Sequence, residues 1–156
     1  MKNSLCLSII ILFCFLISEP ALSSSLMIEG AFARASSGHG KNSAAYLSIN
    51  NHSPKDDYLI EAKTNVAAMT SIHNHINDKG IMKMQEVKQI VIPGDGSIRL
   101  QPGGFHIMLM GLKKPLVEGD KFELKLVFKN AGNIMCSVIV KKVDAMGHSK
   151  KMKHTH

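Results

Sequence analysis

At 156 residues the chain sets the expectation at one domain. A net charge of +7 raises nucleic acid as a partner. No Trp, only two Tyr and no aromatic–basic interleaving exclude it, and leave steering toward an acidic partner or an anionic membrane surface.

The N-terminal run "MKNSLCLSIIILFCFLISEPALSSS" reads as a secretory signal peptide over residues 1–23. Lys2 is the basic start, an apolar run extends from Leu5 to Ile17, Pro20 breaks it, and "ALS" at Ala21–Ser23 resembles a cleavage site. The run is short for a membrane span, so no stable membrane insertion is expected after cleavage. No Cys stands at the expected cleavage point, which argues against lipid attachment there. Cys6 and Cys14 leave with the signal, so Cys136 is the one cysteine of the exported chain. An internal disulfide and a CxxC redox pair are thereby excluded. Cys136 sits in "NIMCSVIV" and is expected to be a buried packing residue.

Residues 24–142 read as one domain of short strands. "LMIEGAFAR" (26–34) carries Ile28, Gly30, Phe32 and Arg34 on one parity, and "AAYLSIN" (44–50) follows the turn "SSGHGKNS". Then come "DYLIEAK" (57–63), "AAMTSIH" (67–73), "GIMKMQEV" (80–87), "QIVIP" (89–93) and "SIRL" (97–100). A turn of helix is allowed around Thr64–Met69. After "QPGG" the stretch "FHIMLMGL" alternates, and "KFELKLVF" (121–128) and "NIMCSVIVKK" (133–142) complete the set. Many short strands between Gly, Pro, Asn and Asp turns predict an all-β, antiparallel sandwich or barrel. The tail from 143 to 156 is basic, lacks a strand pattern and is expected to be disordered.

Two clusters of soft side chains stand out. His73 and His75 share one parity, Met82 and Met84 another, and "NDKG" (77–80) between them predicts a hairpin turn. His106, Met108 and Met110 share one face of a single strand. Met27, Met69 and Met135, taken singly, are expected to be core filler. Alternate His and Met on one strand is a poor choice for packing, where Val, Ile and Leu are usual. Thioether sulfur is a neutral, soft donor that suits Cu(I) and serves zinc, calcium and magnesium badly. A blue-copper electron carrier needs a Cys thiolate beside its histidines, and Cys136 has no His near it in the sequence.

The spacing His73-x10-Met84-x21-His106-x-Met108 resembles the motif of the PCu(A)C family of periplasmic copper chaperones. "AFARASSGHGKNSAAYLSINN", with Phe32 where the family often has Trp, and "IPGDGSIRLQPGGFHIMLMGLKKPLVEGDKFELKLVF" also look like family blocks. The resemblance spans Ile28 to Val140. It implies a cupredoxin-like β-sandwich or barrel and a Cu(I) site made by His73, Met84, His106 and Met108. His75, Met82 and Met110 lie two residues from those positions and are expected to support the site or pack beside it. The carboxylates are scattered and no Ser/His/Asp arrangement has supporting context, so no enzyme activity is expected, and a monomer is expected. The resemblance further implies a periplasmic chaperone. Its cargo would pass to the Cu_A centre in subunit II of cytochrome c oxidase, alone or with Sco-type proteins. Copper sequestration without an oxidase client is the alternative. Met146, His148, Met152, His154 and His156 in the tail form an expected capture segment, for Cu(II) through imidazole.

Overall fold

The computed structural model describes residues 25–36, 38 and 40–142. The expected signal segment and the tail with its Met146, His148, Met152, His154 and His156 lie outside the described residues. Within them the regular elements are ten strands: β1 (Leu26–Arg34), β2 (Asn42–Asn51), β3 (Asp57–Thr64), β4 (Ala67–Asp78), β5 (Ile81–Glu86), β6 (Ile90–Ile92), β7 (Gly96–Leu100), β8 (His106–Leu112), β9 (Lys121–Phe128) and β10 (Gly132–Lys141). Among the described residues no helix is long and apolar enough to cross a membrane. The all-β expectation is met, and the allowed turn of helix at Thr64–Met69 is replaced by the end of β3 and the start of β4.

The strands join in the order β5-β4-β8-β2-β1-β10-β9-β3-β6, with β7 also paired to β2. Pairing is antiparallel except between β1 and β10, which run parallel. That one parallel pair corrects the purely antiparallel expectation. β8 pairs with Asn42–Ala45 of β2, and β7 pairs with Leu47–Asn51 of the same strand. The Gln101–Phe105 turn therefore steps from β7 to β8 along one edge of β2.

Period-2 alternation builds the core. Ile107 and Leu109 of β8 are fully buried, as are Ile49, Leu124, Leu126 and Val138, and all belong to one apolar cluster. Each such side chain contributes about 1.5–3 kcal/mol relative to exposure. The register of β1 on β2 shifts between Glu29 and Phe32, and Gly30 lies there at φ 59°. Only a residue without Cβ takes that backbone readily, and the extra residue makes a bulge. Before the bulge Leu26 faces the core; after it Ala33 does, and Phe32 turns to the opposite face against Tyr46, ring centroids 5.1 Å apart. The single parity expected for Ile28, Gly30, Phe32 and Arg34 is broken at this point.

Three methionines expected in the core are at the surface: Met27, Met69 and Met135 are 48%, 61% and 56% exposed. Their strands alternate, and these positions fall on the outward parity. Cys136 is half-buried rather than buried and lies near the Leu124 carbonyl, 3.6 Å away.

Two loops lock together at the β2–β3 and β6–β7 connections. The buried Asn51 amide donates to the Lys55 carbonyl at 2.9 Å, Asp95 N–H donates to the Ser53 carbonyl at 2.8 Å, and Gly94 N–H donates to Asp56 Oδ1 at 2.9 Å. A Cβ on Gly94 would lie 2.4 Å from the Pro54 oxygen and 2.5 Å from its carbonyl carbon. Both are backbone atoms that cannot swing aside. Gly94→Ala is therefore expected to destabilise the fold by about 1–3 kcal/mol. Chemical denaturation is the measurement, and an unchanged midpoint would contradict this packing.

Candidate metal centre

The hairpin that carries the first cluster follows from its turn. Asp78 pairs with Ile81, so Lys79 and Gly80 form a two-residue loop, both with positive φ, 52° and 85°. This is the type I′ pattern, which matches the twist of a hairpin. Asn77 Oδ1 accepts the Gly80 N–H at 2.8 Å and fixes the loop. β4 thus extends past His73 to Asp78, and β5 returns with Met84 directly opposite His75 and Met82 opposite Asn77.

β8 lies on the other side of β4. His106 is opposite His73, Met108 opposite Ser71, and Met110 opposite Met69. His73, His75, Met84, His106 and Met108 therefore share one face across three adjacent strands. The rings confirm the proximity: His75 stacks on His106 with centroids 4.9 Å apart, and His73 is 5.8 Å from His106. Tyr46 stands on the other flank, its centroid 6.3 Å from His106. His106 is 2% exposed and Met84 50% exposed, so the face joins a covered anchor to an open edge.

A turn sets the chemistry of His106. "QPGG" places Pro102 and Gly103 at the two central positions, Gly103 has φ 81°, and Gly104 N–H donates to the Gln101 carbonyl at 3.0 Å. Pro followed by a positive-φ Gly is the type II signature. The turn aims the Gly104 carbonyl at His106 Nδ1, 2.9 Å away. A carbonyl can only accept, so Nδ1 carries the proton and a neutral ring has its bare lone pair at Nε2. Burial lowers the His106 pKa; the Gly104 carbonyl opposes this, while the charges of His75 and His73 add to the lowering. The neutral ring is accordingly favoured. Its Nε2 lies 3.2 Å from Met84 Sδ. Two lone-pair donors face each other there with no proton between them, an arrangement that a cation would satisfy.

The remaining imidazoles add unfilled valence. His73 Nε2 contacts Ser71 Oγ at 2.7 Å. Nδ1 of His73 and Nδ1 of His75 are both buried and have no hydrogen-bond partner. A buried polar atom without a partner is costly, and a metal ion or its shell is one way to satisfy it. Among the described residues no three His, Cys, Asp or Glu side chains are placed to hold a metal ion. A metal at this face would need the thioethers, and the donor set fits a soft monovalent ion.

The family resemblance singled out His73, Met84, His106 and Met108, and the strand register puts them on one face. The resemblance gave less weight to His75, which lies opposite Met84 and against His106. Met82 stands one row further toward the hairpin tip and is 57% exposed. Met110 stands one row beyond Met108. Tyr46 and the Gly104 carbonyl were missed; the "QPGG" turn was the available signal for the second. Cys136 is on β10, three strands from β8 in the sheet order, and burial followed by the Glu123 charge pushes its thiol up to about 11.

The all-strand fold matches cupredoxin-like domains of the PCuAC type. It is similar to the copper-bound PCuAC domain from PmoF2, with a TM-score of 0.65 at 23% identity over 76% of this chain and 93% of that one. It is similar to apo-DR1885 from Deinococcus radiodurans, with a TM-score of 0.61 at 26% identity over 91% and 97% of the two chains. The Cu(I) form of DR1885 gives 0.60 at 28% identity over 79% and 84%. The family described as "Putative lipoprotein LpqE-like" matches residues 26–140, and the chain belongs to that family. Two curated relatives are each 34% identical to it. One, from Leifsonia xyli subsp. xyli and named as a lipoprotein, matches over 63% of this chain; the other, an uncharacterized protein of Rickettsia prowazekii, over 58%. The matched regions span 60% and 51% of those relatives' own lengths.

The tautomer is directly measurable. In the metal-free protein, 15N NMR of His106 is expected to show a protonated Nδ1 and a bare Nε2. A protonated Nε2 in the neutral ring would contradict the Gly104 contact.

Proposed function

We propose that the protein is an extracytoplasmic, non-enzymatic copper chaperone. His73, Met84, His106 and Met108 hold Cu(I) as cargo, and a partner takes the ion by ligand exchange. The observation that carries this reading is the His106 Nε2–Met84 Sδ pair at 3.2 Å, in which burial favours the neutral ring and the Gly104 carbonyl, by holding the proton on Nδ1, leaves Nε2 bare. Imidazole gives the stronger anchor. Thioethers are neutral and comparatively weak, so a partner's thiolate or imidazole can displace them first. No general acid, base or nucleophile is needed for that exchange. The likeness to copper-bound PCuAC domains supports the same reading. By the family resemblance the compartment is the periplasm and the client is Cu_A in cytochrome c oxidase subunit II, directly or through a Sco-type protein; the protein is proposed to act as a monomer.

His106→Ala and Met84→Ala are each expected to weaken Cu(I) binding more than Ser71→Ala, which removes only a partner of His73. Loss of such an orienting partner typically costs about 10–100-fold in affinity. Cys136→Ser should leave Cu(I) affinity unchanged. Competition titration with a Cu(I) chelator measures all four variants, and unchanged affinity in both His106→Ala and Met84→Ala would overturn the site. The client is tested separately: deleting the gene should lower oxidase activity at low copper. Normal oxidase activity with copper hypersensitivity would point instead to sequestration.

A further inference from the structure

The β4–β8 register continues past the core donors. From the hairpin side the facing pairs run His73 with His106, Ser71 with Met108, then Met69 with Met110. Each step of two residues along a strand advances about 6.5–7 Å, and facing side chains have Cβ atoms about 4.5–5.5 Å apart. Met69 and Met110 are therefore within reach of one another, and Met108 is diagonal to Met69 and next on the same face to Met110. Met69 is 61% exposed and Met110 half-buried. Neither serves the core, which lies on the opposite face with Ile107 and Leu109.

Met27 and Met135, exposed elsewhere in the sheet, lack this arrangement. Met27 on β1 faces Asn50, and Met135 on β10 faces Lys125. Among the described residues the thioethers gather where the sheet already carries the soft donors, with Met82 one row toward the hairpin tip and Met110 and Met69 one row beyond Met108. On the far side of Met110, β2 offers Asn42, whose side-chain oxygen accepts the Gly111 N–H at 3.3 Å. The row is neutral, which suits a monovalent soft cation and gives nothing to a hard divalent one.

We propose that Met69 and Met110, with Met108 as a shared donor, form a second, outer thioether subsite for Cu(I). The inference rests on the reading of the core as a Cu(I) site. Three thioethers without an imidazole bind more weakly than the core set, so an ion there moves on to the core. Met108 pivots between the two sets. The ion keeps its oxidation state, the Met69 and Met110 sulfurs leave, and His106 Nε2 and Met84 Sδ take their places. The subsite is thus an entry step on the solvent-exposed flank of the core site.

The test uses the purified protein carrying 13C-methyl methionine, titrated with Ag(I) as a redox-inert stand-in for Cu(I). The methyl signals of Met84 and Met108 are expected to move with the first ion. Those of Met69 and Met110 should move in a later, weaker step, with Met27 and Met135 unmoved. Met69→Leu should abolish the later shift at Met110 and keep the first step. Still methyls at Met69 and Met110 under saturating Ag(I) would overturn the subsite. Movement of Met27 and Met135 in parallel with them would also overturn it, as generic thioether binding. A later step that persists while Met84 and the first step do not respond would support the outer subsite and reject the core reading.

Discussion

The hydrogen bond from His106 to the Gly104 carbonyl is the constraint on which the rest of the site depends. It exists because Pro102 and a positive-φ Gly103 turn the chain sharply between β7 and β8. The same carbonyl also accepts the His75 backbone N–H at 3.3 Å, so one oxygen ties the turn to β4 and fixes the ring of β8. With Nδ1 committed, Nε2 of the neutral ring has no proton to give. Its approach to the Met84 sulfur is then a meeting of two lone pairs rather than a hydrogen bond. Local backbone geometry thus decides which nitrogen can bind, before any ion arrives.

The sheet supplies the second requirement, which is to keep that face separate from the core. Alternation sends Ile72, Ile107 and Leu109 inward, and the histidines and methionines outward, from the same two strands. A one-residue slip between β4 and β8 would exchange the two faces, and the burial of the isoleucines opposes it. The bulge at Gly30 does related work at a distance. It lets β1 keep Ala33 in the core while Phe32 crosses over to cover Tyr46. Tyr46 in turn lines one side of His106, and burial raises the pKa of its phenol despite the opposing charge and hydrogen bond of Arg34. The covered environment that keeps the His106 ring neutral is assembled in part by this change of face in β1.

Period and turn chemistry made most of the architecture legible. Nearly every strand was visible as a short alternating run, and the "NDKG" and "QPGG" segments marked the two turns that matter at the site. The shared face of His106, Met108 and Met110 followed from parity alone. What stayed hidden was non-local. The parallel pairing of β1 with β10 leaves no mark in either strand. The Gly30 bulge looks like an ordinary glycine inside a run until its partner strand is known. The exposure of Met27, Met69 and Met135 depends on which parity faces the core. A methionine has the hydrophobicity for either side, so residue type misled there. His75 was underweighted for a similar reason: only the hairpin register shows that it, rather than His73, stands opposite Met84.

The two sides of the site are built to different degrees of fixity, and this bears on release. His106 belongs to a strand held between β4 and β2, is almost fully covered, and has its tautomer set by the backbone. Met84 belongs to β5, an edge strand whose every residue is exposed and which pairs on one side only. Strand edges with few buried contacts open at lower free energy than central strands. A cargo ion held between them would have one ligand that stays and one that can be drawn away with its hairpin. On the proposed chaperone reading, exchange would begin at the exposed thioether, where a partner can approach, and end at the covered imidazole. The order of displacement follows from burial and strand position as much as from the intrinsic affinity of sulfur and nitrogen for the metal.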